Sequence, residues 1–176
     1  GNFHNTGFIN AAEDLTIRAA SFTNEQRIAE AEAWVVEYQK WTGKKKGHLE
    51  RYDELQAGGD IIAGNIDIRV GEGDIINRGG MLMAMNDLTL QGENIINDAQ
   101  HYENIVNFQD QGKLAKFLGY PAWVKGELYD AAMMQAGGTT RIQAGDSFQN
   151  LGSTVASYDD LIISAKELIE QNLYAT

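Results

Sequence analysis

Apolar and polar residues alternate in short runs along this chain, and the runs return at a fixed interval. Four stretches open on Asp followed by apolar-x-apolar: Asp14-Leu15-Thr16-Ile17, Asp67-Ile68-Arg69-Val70, Asp87-Leu88-Thr89-Leu90 and Asp160-Leu161-Ile162-Ile163, with Thr140-Arg141-Ile142 as a degenerate fifth. Each leads to a second apolar pair and usually an Asn: Phe22-Thr23-Asn24, Ile75-Ile76-Asn77, Ile95-Ile96-Asn97 and Phe148-Gln149-Asn150, with Leu168-Ile169-Glu170 in the last copy. Alternation of period two is the signature of strands with one buried face.

Asp67 and Asp87 are 20 residues apart, as are Asn77 and Asn97. That period is too short for helix-pair repeats of roughly 33 to 47 residues. The Leu-x-x-Leu-x-Leu signature of leucine-rich repeats is missing, and Gly71-Glu72-Gly73-Asp74 only approaches a calcium-binding nonapeptide. A third apolar stretch, such as Ile61-Ile62-Ala63 or Met81-Leu82-Met83, supplies another wall. No such coil can bury its own apolar side, so the core exists only through stacking at about 4.8 Å per coil. The predicted fold is all-β: a right-handed parallel β-helix of about 20-residue coils, forming one domain over 1–176.

Two segments break the period. The first, about 25–56, reads as a projecting β-hairpin turning at Gly43-Lys44-Lys45-Lys46-Gly47, although the Ala- and Glu-rich stretch 25–33 also suits the start of a helix. The second, about 98–130, holds Tyr102, Phe108, Phe117, Tyr120 and Trp123, together with Pro121, the chain's single proline. It reads as a mixed insertion with a short helix around Gly112 to Leu118.

With 176 residues and 43% hydrophobic content, the chain can bury a core. Its 14 basic against 25 acidic residues give a net charge of −11, which disfavours nucleic acid and anionic membrane surfaces as partners. Cysteine is absent, removing disulfides and thiolate chemistry together. No apolar run reaches about 18 residues, so no membrane-inserted helix is expected. The chain starts in mid-pattern without a signal peptide and reads as a fragment of something longer.

Ala57-Gly58-Gly59-Asp60-Ile61, Asn77-Arg78-Gly79-Gly80, Asp87-Leu88-Thr89-Leu90 and Ala136-Gly137-Gly138-Thr139 resemble the haemagglutinin repeats of filamentous-haemagglutinin-like exoproteins. These are secreted partners of two-partner secretion systems in Gram-negative bacteria, among them adhesins and contact-dependent growth-inhibition proteins. The resemblance covers about two thirds of the chain. It implies a right-handed parallel β-helix, export by an outer-membrane transporter and a place in a shaft at the cell surface. It also implies segments that meet a host or bacterial cell-surface receptor or glycan.

Candidate sites divide between turn chemistry and contact chemistry. Asp14, Asp67, Asp87 and Asp160 could form a calcium ladder, but one turn Asp per coil does not make a six-oxygen cage; backbone-binding turn residues are the preferred reading. Asn24, Asn77, Asn97 and Asn150 are expected to stack as an amide ladder. His4, His48 and His101 lack metal-ligand spacing, and no metal or cofactor is expected. Parallel β-helices also host polysaccharide-cleaving enzymes, and Asp14, Glu72, Asp74, Glu93 and Asp146 are available acids. They recur with the turns and not as a carboxylate pair, so no enzyme is expected. Lys44-Lys45-Lys46 reads as a solvated hairpin tip. The contact candidates are Trp34, Tyr38, Trp41 and Tyr52 in the first insertion and Tyr120 and Trp123 in the second, because aromatics on protruding segments often build binding sites.

Overall fold

The computed structural model describes residues 1–107 and 112–172; Phe108 lies outside the described residues. In chain order its elements are β1 (Phe3–Asn5), β2 (Phe8–Asn10), β3 (Asp14–Ala19), β4 (Phe22–Glu25), β5 (Arg27–Tyr38), β6 (Lys45–Gln56), β7 (Asp60–Ala63), β8 (Asn65–Val70), β9 (Ile75–Arg78) and β10 (Met81–Ala84). There follow β11 (Leu88–Asp98), β12 (Gln100–Asn107), α1 (Lys113–Leu118), β13 (Trp123–Asp130), β14 (Met133–Ala136), β15 (Thr140–Leu151), β16 (Thr154–Ser157), β17 (Leu161–Ser164) and β18 (Glu167–Gln171). Among the described residues the protein is all-β apart from one six-residue helix. The Ala- and Glu-rich segment that also suited a helix lies in β5: tertiary pairing with β6 overrides local propensity there.

Two compact units emerge. Unit 1 comprises 1–27, 56–100 and 129–176; unit 2 comprises 28–55 and 101–128. In unit 1 the strands pair in parallel along three rows. One row is β2, β7, β10, β14 and β16. A second is β3, β8, β11, β15 and β17, and the third is β1, β4, β9, β11, β15 and β18, with β11 and β15 long enough to run through both. These parallel sheets are consistent with a β-helix.

Register explains the core. Phe3, Phe22, Ile75, Ile95, Phe148 and Leu168 are successive partners in the third row. Phe22, Ile75, Ile95 and Phe148 are fully or almost fully buried, and the Phe3 and Phe22 rings stack at 5.4 Å. Ile61, Leu82 and Met134 line the first row; Ile68, Leu90 and Ile142 line the second. Like side chains therefore lie on like side chains, and burial comes from the coil above and below.

One expected alignment is corrected. The strand-opening position of the second coil is held by Asn65, not Asp67: Asp14 pairs with Asn65, while Asp67 pairs with Thr16 and Thr89 in mid-strand. The two residues are recovered at the next turn. From Arg69 to Ile75 is six positions, whereas the partner stretch from Gln91 to Ile95 is four. Gly71-Glu72-Gly73-Asp74 absorbs the difference. A Cβ on Gly73 would sit 1.8 Å from the Ala20 carbonyl oxygen, so this wider turn requires glycine where it meets the preceding coil.

In unit 2, β5 pairs with β6 and β12 with β13 as two-stranded sheets. Residues 39–44 join β5 to β6, too short a link for a parallel crossover, so the pair is a hairpin. The helix α1 lies between β12 and β13 and ends on Gly119 in the left-handed conformation.

Candidate functional site

The third row carries a polar ladder two positions after its buried apolar residue, on the same strand face. Asn5 donates to Asn24 at 2.8 Å, Asn24 to Asn77 at 2.8 Å, Asn77 to Asn97 at 2.9 Å and Asn97 to Asn150 at 2.9 Å. Asn24, Asn77 and Asn97 are fully buried. Each amide also donates to a backbone carbonyl where the chain enters the first row: Asn24 to Gly59, Asn77 to Gly80 and Asn97 to Thr154. All four links run in one direction, with Gly7 N–H donating to the Asn5 Oδ1 at the head. Asn5 was not among the expected members; its stretch, Phe3-His4-Asn5, matches Phe22-Thr23-Asn24 only in the apolar-x-Asn core.

The aspartates make turn bonds. Asn65 donates to the Asp14 carboxylate at 2.7 Å, Asp87 N–H to the Asn65 Oδ1 at 3.1 Å, and Thr139 N–H to the Asp87 carboxylate at 2.8 Å. Asp67, placed mid-strand, is gripped by Arg18 at 2.8 Å and Arg69 at 2.9 Å. Partial burial pushes its carboxyl up, but the two guanidinium groups outweigh burial and hold it below the usual range. Asp60 moves the other way: burial raises it against a backbone hydrogen bond from Met81, and the Asp130 charge adds to the rise. Among the described residues no group of three or more His, Asp or Glu side chains could hold a metal ion.

The six aromatics separate into three settings within unit 2. Trp34 on β5 is 65% exposed, and its indole lies against the backbone of Gly47: a Cβ there would come within 2.4 to 2.6 Å of Nε1, Cε2 and Cζ2. Glu30 and Glu32 share its strand face by alternation, and Arg51 meets both, at 2.9 and 3.4 Å. Tyr52 and Trp123 are half-buried. Trp123 takes the His48 ring edge-on at 5.9 Å, and Lys125 bridges Glu50 at 3.2 Å and Glu103 at 3.8 Å beside a shallow polar depression that Tyr52 lines. These contacts join the two small sheets.

The third setting is the hairpin tip. Trp41 stands edge-on to Phe117 at 5.8 Å, and its N–H donates to the Phe117 carbonyl at 2.7 Å. Lys116 lies over the Tyr38 ring at 5.3 Å, and Lys40 over the Trp41 ring at 5.2 Å. Trp41 has φ of 68°, a left-handed conformation that bulky residues rarely adopt. Tyr120, just beyond α1, is 56% exposed. Sequence reading named Trp41 and Tyr120 but not Phe117, Lys40 or Lys116 as members of one cluster. The signal was available in two lysine-aromatic dipeptides, Lys40-Trp41 and Lys116-Phe117, one in each segment that breaks the period.

Parallel strands stacked in rows, in-register apolar ladders and an amide ladder define a repeat protein whose unit is one strand-built coil. A model of the haemagglutinin repeat matches residues 1–31, 61–104 and 134–174, more than half of the chain. The chain belongs to that family and is filamentous-haemagglutinin-like. No curated protein and no solved structure matches it. Proteins of the family are typically secreted or surface-exposed and have an adhesin-type structural role, and its adhesins generally bind cell-surface receptors. No described helix is long and apolar enough to cross a membrane. The family match leaves out 32–60 and 105–133, which contain most of unit 2.

Proposed function

We propose that this chain is a shaft segment of a large secreted surface adhesin, or of a contact-dependent growth-inhibition exoprotein, of a Gram-negative bacterium. Unit 1 is then a right-handed parallel β-helix of about 20-residue coils, exported through an outer-membrane transporter. Unit 2 is built from two insertions and makes the contact with a host or bacterial cell-surface receptor or glycan. The observation that carries this reading is the Asn5-to-Asn150 ladder, in which the same side-chain bond recurs from strand to strand and serves stacking. The six candidate aromatics all lie in unit 2, in segments that the repeat match omits.

The test compares cell attachment by the full chain with a version in which both segments of unit 2 are replaced by the short turn Gly79-Gly80 that joins β9 to β10. A stable, β-rich variant that no longer attaches supports the division of labour; undiminished attachment overturns it. Trp41→Ala and Trp123→Ala should each weaken attachment without loss of fold.

One feature favours an alternative, a polysaccharide-cleaving β-helix enzyme. Glu93 lies over Gly145 beside a depression of about 320 Å³ lined by Gln91, Gln143 and Ser164. Against it, Asp74 is engaged by Asn94 at 2.9 Å and Asp146 by Lys166 at 3.5 Å. Turnover of an anionic polysaccharide that Glu93→Gln abolishes would establish the enzyme and displace the shaft.

A further inference from the structure

Unit 2 concentrates positive charge in a strongly acidic chain. Six of the eight lysines, Lys40, Lys44, Lys45, Lys46, Lys113 and Lys116, fall in the segments 37–46 and 112–120, where Glu37 is the one carboxylate. The two segments are one surface. The Trp41 N–H bond to Phe117, the Lys116–Tyr38 contact and the close approach of Gly119 to Lys40 tie the hairpin turn to α1.

The same surface exposes large apolar groups that a merely soluble tip has no reason to carry. Leu114 is 70% exposed, Trp41 63%, Tyr120 56% and Phe117 44%. Trp41 also has an unfavourable backbone conformation, and its backbone N–H is bonded to the Phe117 carbonyl of α1. Lysines interleaved with exposed Trp, Tyr, Phe and Leu have two chemical needs, anionic groups and a shallow apolar layer. A soluble sulfated or carboxylated chain meets only the first and leaves Leu114 and Phe117 in water. The interface of an anionic phospholipid bilayer meets both, since aromatic rings favour the headgroup level and basic side chains favour phosphate.

We propose that the tip of unit 2 docks peripherally on an anionic phospholipid surface. Lys40, Lys44, Lys45, Lys46, Lys113 and Lys116 engage phosphates, and Trp41, Phe117 and Leu114 enter the interface. The proposal rests on reading unit 2 as the contact-making part of the protein. Local charge separation is what permits it: the net charge of −11 disfavours such a surface only as an average over the chain.

The test is co-flotation of the full chain with vesicles of phosphatidylglycerol and phosphatidylcholine, and with vesicles of phosphatidylcholine alone. Binding is expected on the mixed vesicles only, weakening with salt. The triple variant Lys44→Gln, Lys45→Gln, Lys46→Gln should lose about 100-fold, at about fivefold per lysine. Trp41→Ala should lose about tenfold. Lys166→Gln, remote in sequence and in unit 1, serves as the charge control and should leave binding unchanged. Circular dichroism checks the fold of each variant. Equal binding to neutral vesicles, indifference to the triple variant, or lysine-dependent binding to dextran sulfate with none to vesicles would each overturn the lipid surface. Cell attachment that survives the triple variant while vesicle binding is lost would also overturn the lipid surface as the contact, yet leave the receptor reading of unit 2 standing. Vesicle binding without cell attachment would do the reverse.

Discussion

Asn24 and Asn77 are 53 residues apart in sequence and joined by a 2.8 Å side-chain hydrogen bond, and Asn97 and Asn150 repeat that separation with a 2.9 Å bond. Between them Asn77 and Asn97 make the same bond across only 20 residues. The stack is therefore indifferent to how much chain lies between its rungs. What it requires is an amide that donates forward, accepts from behind and satisfies a carbonyl at the entry to the first row, all in a buried site.

Asn77→Ala should remove a link with no substitute. The Asn24 donor and the Asn97 acceptor both lose their partner in buried surroundings, at roughly 2 to 5 kcal/mol in total. Asn77→Asp should cost at least as much at neutral pH, because a buried carboxylate would face the Asn97 oxygen and the Gly80 carbonyl. Its deficit should shrink in acid, where the protonated group can donate again. Denaturant unfolding at neutral and acidic pH checks both.

Asp60 gives a pH signature of the opposite kind to a salt-bridged acid. Its folded pKa is raised, so the folded state binds more protons than the unfolded chain in the window above the ordinary carboxylate value. Stability from this group is fully present below the unfolded pKa and falls as pH rises through the folded one. Asp60→Asn should therefore raise the melting temperature at neutral pH, with the difference vanishing in acid.

Asp67 has the reverse sign. Its folded pKa is depressed, so its contribution exists above the unfolded pKa and is lost as pH falls through the folded one. Arg18→Ala should move the acid-unfolding midpoint to higher pH, with a small effect at neutrality because the pair is solvent-exposed.

Gly73→Ala tests the wide turn. The added methyl meets the Ala20 carbonyl, a backbone atom that cannot swing aside, so the turn must rebuild at a cost of about 1 to 3 kcal/mol. Gly71→Ala, where a Cβ meets nothing within 4 Å, is the matched control and should cost far less.

The rows of the core were legible because burial on one face imposes period two, and Ile68, Leu90 and Ile142 obey it. The same rule explains the misplaced Asp67. A shift of two residues returns every side chain to its own face, so alternation cannot tell Asn65 from Asp67 as the strand opener. Only the extra length at Gly71-Glu72-Gly73-Asp74 records the true register, and a turn of variable length leaves no periodic trace. The Asn ladder was visible because a buried amide is tolerated at few positions. The pairing of Trp41 with Phe117 was not, since both lie in aperiodic segments whose meeting depends on how each folds. Trp34 on Gly47 is a cross-strand contact that needs the hairpin register first.

Both segments of unit 2 leave the third row just after a ladder residue, Asn24 in one case and Asn97 in the other, with Asn77 between them. Their points of departure are thus two rungs apart, about 9.6 Å at 4.8 Å per rung. The stack is thus spliceable: chain can be let in after one rung and again two rungs later, and the amide bonds on either side close as if nothing had been inserted.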